Sequence, residues 1–241
     1  MIIYKVNKDM IMLAYGLLTI LKTHSSVSEK VLQQLRRDII LRKYLPGTRL
    51  LEAKLSSELK ISRGSVRVAL KSLINEGMVA ETTAGHKIVL EITRNTIEDM
   101  YELREWLELK AMAILLSSGN IPYSPLLGVL GDIEREDPNR TVDDYYKIDV
   151  LFHRTILQMS GNRAILQAWE TMSSVIYSLL SVNTSNEYRE QYMREFKYKH
   201  KEIIDLLILR DRRCIDLMRQ HIEDAKILTL ELLPKIDQSV S

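Results

Sequence analysis

The sequence predicts a mainly α-helical protein, with three helices and a small β-hairpin at the front and an all-helical bundle of about six helices behind them. Three observations predict it. Apolar residues recur at helical spacing through most of the chain. Two short β-prone runs flank one tight tip, and the β signal disappears after about Ile92. Breakers such as Ser160-Gly161-Asn162 then recur at intervals of one helix length.

The elements follow in order. Ser28 to Lys43 reads as an amphipathic helix, with Val31, Leu32, Leu35, Ile39 and Ile40 on one face, and Leu45-Pro46-Gly47 stops it. A second helix covers about Leu51 to Leu59. Ile61-Ser62 makes a short turn, and Ser62 caps a third helix through about Asn75. Met78 to Thr82 and Lys87 to Glu91 read as strands around the tip Thr83-Ala84-Gly85-His86. Asn95 to Glu98 resembles a capping box opening a helix to about Ser117. Further helices span about 124–136, a Thr141/Asp144-capped stretch to Met159, a stretch to Val182, then 187–209 and 213–233. Trp106 and Trp169 read as core anchors, and the tyrosines from Tyr188 to Tyr198 as helix-packing or subunit contacts.

At 241 residues, 46% hydrophobic and 27% charged, the composition is that of a soluble globular chain of one large or two ordinary domains. Residues 1–93 hold 15 of the 34 Lys and Arg and 8 of the 32 Asp and Glu, a net of +7; the remainder carries −5, giving the overall +2. A basic front suits a polyanion such as DNA, although an ordinary solvated surface gives the same count. The single cysteine, Cys214, makes no intrachain disulfide and reads as a small buried residue. We divide the chain into an N-terminal extension (1–24), a hairpin-bearing domain (25–92) and an all-α domain (93–241). In the extension, Ile11 to Leu21 is apolar but too short to span a bilayer, which takes about 20 residues. No small-x-small cleavage pattern follows it, so we read an extra helix packing on the body or a partner subunit; Met10 and Met12 are alternative starts.

A helix, a tight turn and a second helix fit the DNA major groove, where the N-terminal residues of the second helix meet base edges. Here those are Ser62, Arg63, Gly64, Ser65 and Arg67. Arg63 and Arg67 are four apart and share a face, and the arginine fork suits guanine. Ser62 and Ser65 suit phosphates at the positive helix end. Val66, Val68, Ala69, Leu70, Leu73 and Ile74 supply the packing side. Taken alone, the pattern fits two solvated arginines on a core helix equally well.

Pro-Gly-x-Arg-Leu-x-Glu at Pro46–Glu52, Ile-Ser-Arg-x-x-Val-Arg-x-Ala-Leu at Ile61–Leu70 and Leu-x-x-Glu-Gly-x-Val at Leu73–Val79 resemble the winged helix-turn-helix domain of the GntR family of bacterial repressors. The resemblance implies that Arg63 and Arg67 contact operator DNA and that Gly85 and His86 form the wing tip near the minor groove. Ser65 and Val68 stand where many relatives have proline and glutamate, which leaves the operator sequence open.

Of five histidines, His153, His200 and His221 fall in the helical half. Asp149 and His153 are four apart and project from one face, while the other two come from different helices. Packed together they form a three-His, one-carboxylate set suited to Zn²⁺, Ni²⁺ or Mn²⁺. Spacing alone leaves ordinary polar histidines as the commoner explanation. The order Asp-x3-His, Ser-Gly-Asn, a His-bearing helix, then Arg-Asp-x9-His resembles the FCD subgroup of GntR regulators. That resemblance implies a divalent metal held by Asp149, His153, His200 and His221, with Arg104 gripping a carboxylate effector and Asn162 as a further candidate. The expectation is a cytoplasmic homodimer, without membrane contact, on a pseudo-palindromic double-stranded operator, controlled by a small carboxylate or hydroxy acid. Alternatives are a metal-free sensor of a bulkier acyl ligand and a metalloenzyme in which the same ligands activate water.

Overall fold

The computed structural model describes residues 27–119, 121, 123–182 and 186–238, so the expected N-terminal helix around Ile11–Leu21 lies outside the described residues. Nine helices and one hairpin are found among them: α1 (Val27–Ile40), α2 (Glu52–Leu59), α3 (Arg63–Asn75), β1 (Val79–Glu81), β2 (Lys87–Val89), α4 (Arg94–Ser117), α5 (Tyr123–Glu134), α6 (Val142–Met159), α7 (Arg163–Ser181), α8 (Asn186–Ile208) and α9 (Arg213–Gln238). The fold class is the expected one. No helix among the described residues is long and apolar enough to cross a membrane.

The chain forms two compact units. One contains, of the described residues, 27–103, 168–182 and 223–238. Its α1 buries Val31, Leu32, Leu35, Ile39 and Ile40, the five positions expected from periodicity. They pack with α3, which buries Val66, Ala69, Leu70 and Leu73. Fully burying an aliphatic side chain contributes roughly 1.5–3 kcal/mol, so this face holds the three-helix arrangement. Val68 was expected on the packing side but is 56% exposed. It stands two residues from both Val66 and Leu70, about 200° round the helix from each. Arg36 and Glu76 close the back of the unit with a two-pronged ion pair, Nε–Oε2 2.7 Å and Nη2–Oε1 2.6 Å. The hairpin pairs Val79 with Val89 and Glu81 with Lys87, antiparallel. Gly47 to Leu50 lines the other edge of β2, through Leu50 N–H to Lys87 O and Val89 N–H to Thr48 O. Gly85, at φ +74°, makes the tip of the wing, a conformation that β-carbon-bearing residues rarely adopt.

The second unit contains, of the described residues, 104–119, 121, 123–167 and 186–222. Here α5, α6 and α8 pack on one another around Leu126, Phe152, Ile156, Phe196 and Ile203. The capping box expected at α6 is present: Thr141 Oγ1 accepts from Asp144 N–H, and Thr141 N–H donates to the Asp144 carboxylate. The start expected for α4 is corrected. The helix begins at Arg94, and Thr93, not Asn95, supplies the cap by accepting from Thr96 N–H at 3.1 Å. Trp169 is buried as expected, but Trp106 is 66% exposed. The buried side of α4 here runs through Arg104, Glu108, Ala111, Met112 and Leu115, and Trp106 sits about 200° away from Arg104 on the helix. Tyr198 is likewise exposed, whereas the side chains of Tyr188 and Tyr192 lie outside the described residues.

Candidate metal centre and nucleic-acid interface

The metal-ligand candidates come from three helices: Asp149 and His153 from α6, His200 from α8 and His221 from α9. One potential ligand atom from each lies within 4.8 Å of the others. His200 Nε2 is 2.8 Å from Asp149 Oδ1. His153 Nε2 and His221 Nε2 are 3.1 Å apart, and each lies within 3.7 Å of the same carboxylate oxygen. His153 and His200 are almost completely buried, and Asp149 nearly so. Phe152 forms an apolar wall, its ring edge-on to His153 at 4.8 Å and to His200 at 4.7 Å between centroids.

The outward-facing nitrogens show why these groups fit a cation. His200 Nδ1 donates to the carbonyl of Phe196 at 2.7 Å, one turn back on α8. His153 Nδ1 meets Glu108 Oε2 at 2.5 Å. In the neutral imidazole, a proton on the nitrogen that faces Phe196 O or Glu108 leaves a lone pair on the opposite ring nitrogen. Both Nε2 atoms point at Asp149 and His221, which are themselves electron-rich. Positive charge among these atoms, from a bound cation or from a proton on Nε2, offsets their mutual repulsion. A divalent ion would supply that charge, and three imidazoles with one carboxylate are a suitable donor set for it.

The electrostatics divide the four groups. Burial pushes the His221 imidazole down to about 3, outweighing the Asp149 carboxylate, which favours protonation. Burial works against an ionised Asp149, but the facing imidazoles overcome it and hold its carboxyl well below the usual range. Glu108 is fully buried, yet His153 and the Arg104 guanidinium bring its carboxyl down to about 2. Asp149 is thus held ionised and His221 unprotonated, the forms that bind metals, whereas at His153 burial is outweighed by Glu108 and Asp149, which raise its imidazole, so that a cation there competes with a proton.

Arg104 is 3% exposed and donates Nε–H to Glu108 Oε1 at 2.8 Å. It is thus joined to His153 through one carboxylate. Glu108 is the residue that sequence reasoning missed. Its only signal was an Arg-Glu pair at i, i+4, which usually marks an exposed helix face. Asn162 is exposed and caps α7, its Oδ1 accepting from Ala164 and Ile165 N–H at 3.1 and 3.2 Å. Cys214 is fully buried, and burial pushes its thiol up to about 11.

On the other unit, Ser62 caps α3 by accepting from Ser65 N–H, and its hydroxyl lies 3.0 Å from that of Ser65. Arg63 and Gly64 form the exposed first turn beyond it. Arg67 is exposed, and its Nε and Nη2 donate to Glu52 Oε2 at 3.1 and 2.9 Å. At the wing tip, His86 N–H donates to Thr82 Oγ1.

A helix-turn-helix with a hairpin wing, joined in one chain to a helical bundle, defines a winged-helix transcriptional regulator. The chain belongs to the GntR family of bacterial regulatory proteins and carries an FCD domain: the gntR family matches residues 27–83 and the FCD domain residues 99–224. It is 26% identical over 213 residues, 84% of each chain, to the gluconate operon transcriptional repressor of Bacillus subtilis (strain 168). It is 27% identical over 172 residues, 70% of each chain, to the repressor of the same name from Bacillus licheniformis. The crystal structure of a GntR transcriptional regulator from Rhodococcus sp. RHA1 shares the fold with a TM-score of 0.58 at 22% identity, covering 86% of this chain and 99% of that one. The family, and the two repressors named above, are regulators of transcription, which places this chain among regulators and not among metalloenzymes.

Proposed function

We propose that this protein is a cytoplasmic homodimeric repressor whose grip on a pseudo-palindromic operator is set by a small carboxylate or hydroxy acid bound beside a divalent metal. The extension 1–24, the DNA-binding domain 25–92 and the effector domain 93–241 are the working divisions. Ser62, Arg63, Gly64, Ser65 and Arg67 meet the major groove, and Gly85 and His86 sit at the wing tip near the minor groove. Asp149, His153, His200 and His221 hold the metal, which when bound supplies positive charge and open positions for a carboxylate. Arg104 and Asn162 are the effector-binding candidates, with Arg104 the better supported because it shares Glu108 with His153.

The observation that carries this reading is the convergence of four buried or nearly buried ligand groups, with the outward nitrogens of His200 and His153 engaged by Phe196 and Glu108. The two Bacillus relatives are named for a gluconate operon, and gluconate is a polyhydroxy carboxylate of the class such a site takes. The test is elemental analysis of the purified chain, followed by melting with and without a chelator. About one Zn, Ni or Mn per chain and a lower melting temperature after chelation are expected. No metal at any stoichiometry, with chelator-independent melting, overturns the metal.

A further inference from the structure

We propose that Glu52 is a specificity-determining residue: it buttresses Arg67, presenting that guanidinium to a base pair in one fixed orientation. This rests on the reading of α3 as the recognition helix and adds to it a residue outside α3.

Three elements meet at the Glu52 carboxylate. It stands at the first position of α2, receives Nε–H and Nη2–H of Arg67 from α3, and lies 3.6 Å from Lys87 Nζ on β2. Lys87 lies in turn 3.7 Å from Glu81, its cross-strand partner on β1. Glu52 is itself mostly covered, 23% exposed, whereas the Arg67 side chain is 68% exposed. The anchor is therefore held by the fold while the group it holds faces solvent.

An exposed arginine normally samples many rotamers, and binding has to immobilise it. Here the Nε edge is tied down before any DNA arrives. Glu52 occupies the Nε–Nη2 edge and so orients the guanidinium plane, leaving Nη1 and the second hydrogen of Nη2 for another acceptor. Two donors held in one plane match the O6 and N7 acceptors of guanine in the major groove. The charges fit reading rather than sticking. Arg67, Lys87, Glu52 and Glu81 sum to zero, so this cluster adds little general attraction to phosphate. A carboxylate kept beside a DNA-facing arginine weakens non-specific binding and sharpens orientation.

The test uses the full chain and two probes of equal length: a duplex selected by the wild-type protein from a randomised pool, and a random-sequence duplex. Affinities are measured at one fixed salt concentration. Glu52→Gln keeps the side-chain shape and removes the charge. We expect the ratio of selected to random affinity to fall about tenfold, with binding to the random duplex unchanged or slightly stronger and an unchanged melting temperature. Arg67→Ala should lose a comparable ratio, and adding Glu52→Gln to it should remove nothing more. If Arg67→Ala lowers the ratio and Glu52→Gln does not, the buttress is overturned and the recognition helix stands. The same holds if Glu52→Gln strengthens both probes equally, for then Glu52 only masks charge. If Arg67→Ala leaves the ratio intact, the reading of Arg67 as a base contact fails and the proposal fails with it.

Discussion

Glu108 and His153, 45 residues apart, share the shortest contact at the candidate metal centre: Oε2 to Nδ1, 2.5 Å, with both side chains almost wholly buried. The carboxylate fixes which nitrogen of His153 carries the proton, and so which one faces Asp149, His200 and His221. Arg104 holds the other oxygen of the same carboxylate.

Weakening that contact should weaken the metal. Removing the outer partner of a metal-binding imidazole typically costs 10–100-fold in affinity. Glu108→Gln is expected to lie in that range for Zn²⁺ or Mn²⁺, measured by calorimetry on chelator-stripped protein. Wild-type affinity in a variant that melts normally would remove Glu108 from this role.

Direct ligands should matter more. His200→Ala and His221→Ala should each reduce the metal recovered per chain and abolish the rise in melting temperature on adding metal. A metal present at 100 times its Kd stabilises by about 2.7 kcal/mol, so the loss is readily seen by calorimetry. Stabilisation that survives in both variants would show that the ion binds elsewhere.

The recognition helix gives a separate expectation. Arg63→Ala or Arg67→Ala should each cost about 1–3 kcal/mol in operator binding, read in a shift assay at fixed salt. Metal content should be unchanged, since neither residue belongs to the ligand set. Undiminished binding by both variants would count against α3 as the reading helix.

The cap of α6 sets a local stability. Thr141→Ala removes the hydroxyl that bonds Asp144 and should cost about 1 kcal/mol in denaturant unfolding. Chiefly through the Thr141 side chain, the box holds the Asp144 carboxyl below its usual range. A lowered folded-state pKa stabilises above the unfolded value, and that stabilisation disappears as pH falls through the folded one. The difference between wild type and Thr141→Ala should therefore be largest near neutral pH and shrink on the acid side. A difference that stays constant down to pH 2 would contradict this assignment.

Local chemistry made much of this protein legible. The face of α1 was readable because 3.6-residue periodicity and burial coincide along a single helix. The caps at Ser62 and Thr141 were readable because a hydroxyl three residues before its backbone donor is a local matter. The Thr93 cap was missed because Asn95 and Thr96 are also good capping residues, and only the realised backbone chooses among them. Trp106 was misread because size suggests burial, whereas the face a helix buries is set by its neighbours.

By itself, then, the sequence determined the helices, the wing and the order of Asp149, His153, His200 and His221 along the chain. Only the tertiary structure brought those four side chains within 4.8 Å, placed Glu108 behind His153 and set Glu52 against Arg67. Helices and turns are decided by torsions and hydrogen bonds within a few residues. A ligand cluster is decided by where whole helices come to rest, and that depends on packing among residues far apart in the chain.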